Sequence, residues 1–192
     1  MKIGVLALQG AFLEHQQILQ SIGVDAVQVR LPQQLDDLQG LIIPGGESTT
    51  IGKMAVSYGF MDALRKFGKQ HAVWGTCAGA IFLAKNIGRD QPLLGLMDIS
   101  IERNAFGRQV DSFEMDLNIP CISALNGNKA AFHAIFIRAP LITAVGEGVE
   151  VLSRLPDERI VAARQGHLLA TSFHPELTGD SRFHRYFLEL IQ

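Results

Sequence analysis

Five consecutive residues, Gly75-Thr76-Cys77-Ala78-Gly79, constrain this chain more than any others. An apolar run, Ala72-Val73-Trp74, precedes them, and Ala80-Ile81-Phe82-Leu83 follows. The form G-x-C-x-G between a predicted strand and a predicted helix is the cysteine counterpart of a nucleophile elbow. A chain that turns so sharply holds its central residue at strained backbone angles, and the neighbours packed on the turn must be small. The helix that Cys77 opens points free backbone N–H groups at the sulfur, a setting that favours negative charge. The Ala78 N–H is placed to donate to a tetrahedral oxyanion. The other cysteine, Cys121, follows Pro120 in an irregular stretch and has no such surroundings.

An elbow of this kind needs a parallel sheet around it, and the pattern supplies one. Residues 3–8 read as a buried strand, 11–22 as a helix ended by Gly23, and 25–29 and 40–43 as two more strands. Helices are predicted over 48–58 and 60–69, a strand over 72–75, and a helix from Cys77 to Asn86. Such alternation argues for strands in parallel with helices on both faces. The pattern then changes to strand-like pieces over 115–119, 134–137, 143–145, 150–153, 160–164 and 168–172, expected to extend or flank the sheet as antiparallel strands. Residues 121–131 read as a loop, and a closing helix over 181–191 carries Phe183, Tyr186, Phe187 and Leu190 on one face. The expected fold is a three-layer α/β/α sandwich with a mixed, mostly parallel sheet.

Bulk properties narrow the functions available. A chain of 192 residues suits a single domain with a full core. The formal net charge of −2 gives no electrostatic case for nucleic acid or an anionic membrane. No apolar run approaches the roughly 20 residues needed to span a bilayer. The N-terminal apolar stretch is too short for a secretion signal, so the expected location is the cytosol. Two cysteines without a CxxC pair suggest neither a disulfide framework nor zinc.

A thiolate nucleophile needs a base that can also protonate a leaving group. Of the six histidines, His15, His71, His133, His167 and His184 read as surface or satisfied core residues. His174 differs, because it lies in Ser172-Phe173-His174-Pro175-Glu176, where a strand runs into a proline-stiffened turn. His174 and Glu176 are two apart in an extended stretch, so their side chains share a direction. A carboxylate there holds the imidazole tautomer and stabilises the imidazolium.

G-x-C-x-G followed far downstream by Phe173-His174-Pro175-Glu176 resembles the class I, or triad, glutamine amidotransferases. Several runs resemble one branch more narrowly, the glutaminase subunits of pyridoxal 5′-phosphate synthases. They are Leu8-Gln9-Gly10-Ala11 with Glu14-His15, Pro44-Gly45-Gly46-Glu47-Ser48-Thr49-Thr50, Glu102-Arg103 with the stretch through 114, Phe136-Ile137-Arg138-Ala139-Pro140, and Ser172-Phe173-His174-Pro175-Glu176-Leu177-Thr178. Ala80 and Ile81, where other class I members usually carry a glutamine, favour the same branch.

The resemblance implies hydrolysis of L-glutamine through a Cys77 thioester, with His174 and Glu176 completing a triad. It implies an oxyanion hole from Ala78 and Gly46, and a glutamine site lined by Gly46, Glu47, Ser48, Arg103, Ile137 and Arg138. It also implies no cofactor, no metal, and a partner: the synthase subunit, which takes the ammonia to build pyridoxal 5′-phosphate. Glutaminase activity should then be weak alone and rise when docking completes the oxyanion site.

Overall fold

The computed structural model describes residues 1–103, 112–125 and 130–191. Its first half alternates β1 (Lys2–Leu6), α1 (Phe12–Ser21), β2 (Asp25–Val29), β3 (Gly40–Ile43), α2 (Ser48–Ser57), α3 (Phe60–Gly68), β4 (Ala72–Thr76) and α4 (Ala78–Leu83). The second half adds β5 (Ala84–Asn86), β6 (Met97–Glu102), β7 (Ser112–Leu117), α5 (Pro120–Ala124) and β8 (Phe132–Ile137). After these come β9 (Leu141–Val145), β10 (Glu150–Arg154), β11 (Ile160–Gln165), β12 (Leu168–Thr171) and α6 (Arg182–Glu189).

The main sheet runs β2-β1-β3-β4-β12-β11-β9-β6-β5, with β10 paired to β11. Strands β2, β1, β3, β4 and β12 are mutually parallel. Beyond β12 the sheet turns antiparallel through β11, β9 and β6, and β5 lies parallel to β6 at the edge. Among the described residues β7 and β8 pair with each other alone, as a two-stranded ribbon off the main sheet. The expected mixed, mostly parallel sheet is present, and the later strands both extend it and flank it.

Both faces of the parallel strands are buried, as alternation along each strand requires. Leu41 and Ile43 of β3 and Val73 of β4 face a core shared with Ile51, Phe60, Leu64, Phe67 and Phe82 from α2, α3 and α4. Ile42 and Trp74 face the opposite core, with Leu19 of α1, Phe183 and Phe187 of α6, and Phe132 and Phe136 of β8. These two cores make the three layers.

Three expectations need correction. The helix opened at the elbow stops at Leu83 rather than Asn86: Ala84 turns to an extended backbone (φ −64°, ψ 151°), and Ala84 and Asn86 pair with Met97 and Ser100. Burial of Ile81, Phe82 and Leu83 made the apolar run look like one longer helix. The first strand ends at Leu6 rather than Leu8: the Ala7 N–H makes the last bond to β2, at Val29 O, and the chain then turns through Gly10 (φ 103°) into α1. Residues 120–124 form α5, with Ile122 buried, where a loop was expected. The rest of that stretch, 126–129, and residues 104–111 of the matching run, lie outside the described residues.

Candidate active site

Cys77 stands alone between β4 and α4, with φ 48° and ψ −104°. A positive φ on a non-glycine residue stores strain, and it persists only where the surroundings impose it. They do so here. The Cys77 N–H donates to Thr171 O at 2.8 Å, and its carbonyl accepts the Ile81 N–H at 3.2 Å. A Cβ on Gly75 would lie 2.5 Å from the Gly79 carbonyl group, and one on Gly79 would run into the Ile43 carbonyl oxygen. Both glycines are therefore demanded by contact, as the turn pattern led us to expect.

Strand order brings the imidazole to this elbow. β12 lies parallel to β4 with Thr171 opposite Thr76, so the chain leaving β12 emerges beside Cys77. Buried Phe173 anchors the exit, and the His174 N–H donates to Ile135 O at 2.9 Å. His174 Nδ1 then meets Glu176 Oε1 at 2.8 Å. Cys77 lies beside the same ring, since a single methyl on Gly45 would meet both His174 Cε1, at 2.5 Å, and Cys77 Cβ, at 3.4 Å. Burial pushes the His174 imidazolium toward neutrality, but hydrogen bonds to Cys77 and Glu176, and their charge, outweigh it and raise its pKa to about 10. Burial likewise works against ionised Glu176, yet His15 and His174 hold its carboxyl below the usual range.

The loop after β3 forms the facing wall. A Cβ on Gly45 would sit 2.5 Å from His174 Cε1 and 3.4 Å from Cys77 Cβ, so glycine alone lets this backbone reach the pair. Gly46 lies against the Gln9 side chain, whose Oε1 accepts the Glu47 N–H at 2.7 Å. The Ala11 N–H donates to Gly45 O at 3.1 Å. In a trans peptide the Gly46 N–H is aimed away from that bond. Ala78 is the first residue of α4, where N–H groups lack helical partners.

The remaining residues implied by resemblance fall into two groups around the elbow. Glu47 caps α2, accepting the Thr50 N–H at 3.1 Å. Arg103 Nη2 reaches Glu47 Oε1 at 2.7 Å, and its Nη1 reaches Thr49 Oγ1 at 3.1 Å and Gln91 Oε1 at 3.2 Å. Partial burial works against the Glu47 charge, but the bonds from Thr50, Thr49 and Arg103 prevail and lower its pKa. Ser48 is buried, and its hydroxyl accepts from Gln91 at 3.4 Å. On the other side, the Ile137 carbonyl faces Cys77 Sγ at 4.0 Å, and Arg138 follows with φ 44°.

Three residues belong here to which sequence reasoning gave no role in the site. Gly45 is one. The others are His15 and His184, both fully buried. His15 Nε2 lies 3.3 Å from Glu176 Oε2 and 3.2 Å from Thr76 Oγ1. His15 Nδ1 lies 2.9 Å from His184 Nε2, across 169 residues of sequence. Two signals point to His15: it stands in the matched pair Glu14-His15, and it is four residues before Leu19 on the buried face of α1. Among the described residues no group of three or more His, Cys, Asp or Glu could hold a metal ion.

The fold and this site define a class: α/β proteins that hold a cysteine elbow against a histidine and its carboxylate. Within it, a model of the SNO glutamine amidotransferase family matches residues 5–192, and the chain belongs to that family. It is 58% identical to the pyridoxal 5′-phosphate synthase subunit PdxT of Herpetosiphon aurantiacus, over 99% of this chain and all of that one. It is 60% identical to the subunit of the same name from Pelotomaculum thermopropionicum, over 98% of this chain and 94% of its counterpart. A solved structure titled as a glutamine amidotransferase superposes with a TM-score of 0.90 at 54% identity, covering 98% of both chains. PurLQS from Thermotoga maritima, at 16% identity and a TM-score of 0.71, shares the fold, covering 100% of this chain and 98% of its own.

Proposed function

We propose that this chain is the glutaminase subunit of a pyridoxal 5′-phosphate synthase, working as a single domain in the cytoplasm. It hydrolyses L-glutamine to L-glutamate and hands the ammonia to the synthase subunit. The observation that carries this reading is the meeting of Cys77 and His174, remote in sequence, on adjacent ends of β4 and β12. Full-length likeness to PdxT subunits at 58% and 60% identity supports the choice of acceptor. No helix among the described residues is long and apolar enough to cross a membrane.

The mechanism follows from the pairings. An imidazolium beside the sulfur favours the thiolate, which attacks the side-chain carbonyl carbon of glutamine. The oxyanion is received by the N–H groups of Ala78 and Gly46, each worth on the order of 3 kcal/mol. His174 gives its proton to the departing nitrogen as the C–N bond breaks, leaving a glutamyl thioester and ammonia. The neutral imidazole then takes a proton from water, which attacks the thioester and returns the thiolate, releasing glutamate. Glu176 holds His174 throughout.

Glutamine also presents an α-ammonium and an α-carboxylate. Gly46, Glu47 and Ser48 line its site on one side, with Arg103, Ile137 and Arg138 completing it. Glu47 suits the ammonium, and the arginines suit the carboxylate. The Gly45–Gly46 peptide is tied to Ala11, so a partner docking on the 9–15 segment can adjust the oxyanion donor directly.

The test is ammonia release from glutamine, with and without the synthase subunit. The partner should raise the rate manyfold, and Cys77→Ala should abolish it. A full rate from the chain alone would contradict the docking step, and activity in Cys77→Ala would contradict the site.

A further inference from the structure

The Glu176 carboxylate touches two imidazoles, and the proposed reaction uses only one. Its Oε1 accepts from His174. Among the described residues its buried Oε2 has no hydrogen-bond partner, and His15 Nε2, which is bonded to Thr76 Oγ1 at 3.2 Å, faces it at 3.3 Å. A buried carboxylate oxygen in that position needs a donor. We infer that His15 is a positioning residue, whose Nε2–H fixes the second oxygen of Glu176 while His184 sets its tautomer. This rests on the reading of His174 and Glu176 as catalytic machinery.

Proton bookkeeping selects one arrangement. Among the described residues the buried His184 Nδ1 has no partner. A hydrogen there would be an orphaned buried donor, which native proteins avoid more strictly than an idle lone pair. His184 therefore carries its hydrogen on Nε2 and donates to His15 Nδ1 at 2.9 Å. His15 must then carry its own on Nε2, directed between Thr76 Oγ1 at 3.2 Å and Glu176 Oε2 at 3.3 Å. The opposite arrangement leaves an orphaned N–H on His184 and turns a His15 lone pair toward a carboxylate.

Both outer rings work as neutral dipoles. The titratable groups facing His15 are Glu176, His174 and His184 from other elements, and Glu14 on its own helix. Burial holds His15 below its ordinary value, against the pull of Glu176, and holds His184 well below. At neutral pH His15 thus serves Glu176 through its N–H, and its charge bears on Glu176 only at the lower pH where that carboxyl titrates. Trp74 packs edge-on against both rings, at 5.5 Å and 5.0 Å, which keeps water out.

The experiment compares His15→Gln, which keeps a donor near Nε2, with His15→Leu, which removes it. Both are assayed for glutaminase activity in the complex with the synthase subunit, beside wild type and Cys77→Ala. We expect His15→Leu to lose about ten- to a hundredfold in kcat, the size of one lost hydrogen bond to a charged group, with KM nearly unchanged. Its acid limb should move to higher pH, because Glu176 has lost a donor that favours its charged form. His15→Gln should recover most of kcat. Wild-type kcat and limb in His15→Leu, or equal losses in both variants, would overturn the inference. Residual activity in Cys77→Ala would instead sink the site reading itself.

Two further measurements cover poor folding of the His15 variants. His184→Phe keeps the packing on Trp74 and deletes the outer donor, so its kcat should fall severalfold, and an unchanged kcat overturns the inference. Trp74 is the single tryptophan and should show no quenching step near pH 6.5, where an ordinary imidazole titrates. A step there would mean a charged ring and would equally overturn it.

Discussion

His174 Nδ1 and Glu176 Oε1 are 2.8 Å apart, two residues apart in sequence and both nearly buried. The turn at Pro175 that brings them together also sets the imidazole beside Cys77. One short segment therefore sets tautomer, charge and aim together, and each can be tested separately.

Glu176→Gln keeps the shape of the side chain and removes its charge. The amide holds His174 less firmly and no longer stabilises the imidazolium. We expect kcat for glutamine to fall on the order of a thousandfold, with KM little changed, in a steady-state assay of the complex.

The pairing also shapes the pH dependence of stability. The folded pKa of His174, about 10, lies above its ordinary 6.5. Its contribution is therefore complete below 6.5 and is lost as pH rises through about 10. Glu176 is shifted down, so its contribution is present above 4.5 and is lost as pH falls through its folded value. Thermal melts should show wild type losing Tm from pH 7 toward 10 more steeply than Cys77→Ala, which lacks one of the groups that hold the proton on His174.

Gly45→Ala tests the close wall of the site. The new methyl would arrive 2.5 Å from His174 Cε1 and displace the ring from the sulfur. Activity should fall about a hundredfold, as expected when reacting groups are misplaced by about 1 Å. Gly79→Ala should act through the fold instead, since its methyl meets the Ile43 carbonyl backbone. A loss of about 3 kcal/mol or more in denaturant unfolding is expected there.

Arg103→Lys should behave almost like Arg103→Ala. The guanidinium bonds Glu47, Thr49 and Gln91 at once, a geometry that an ammonium cannot reproduce. Both should raise KM for glutamine about tenfold, with a smaller effect on kcat.

Local chemistry was legible in the sequence and tertiary closure was not. G-x-C-x-G is legible as an elbow because Gly75 answers to Gly79 a few residues on, whereas the contact that demands Gly79, the Ile43 carbonyl, is distant in sequence; Pro175 makes the His174–Glu176 turn readable. β2 and β3 are legible at their bounds because turn residues punctuate them, Gly23 before β2 and Pro44-Gly45-Gly46 after β3. β5 was read as helix because its first residue continues an apolar stretch, and only pairing with β6 makes it a strand. His15 and His184 were passed over because each looks ordinary on its own helix, and only packing of α1 and α6 against Trp74 joins them.

The most direct test of the central claim traps the acyl-enzyme. The complex with the synthase subunit, quenched in acid while turning over glutamine, should carry a single glutamyl adduct on the peptide containing Cys77, and Cys77→Ala should carry none. An adduct on Cys121, or steady ammonia release in Cys77→Ala, would contradict the account.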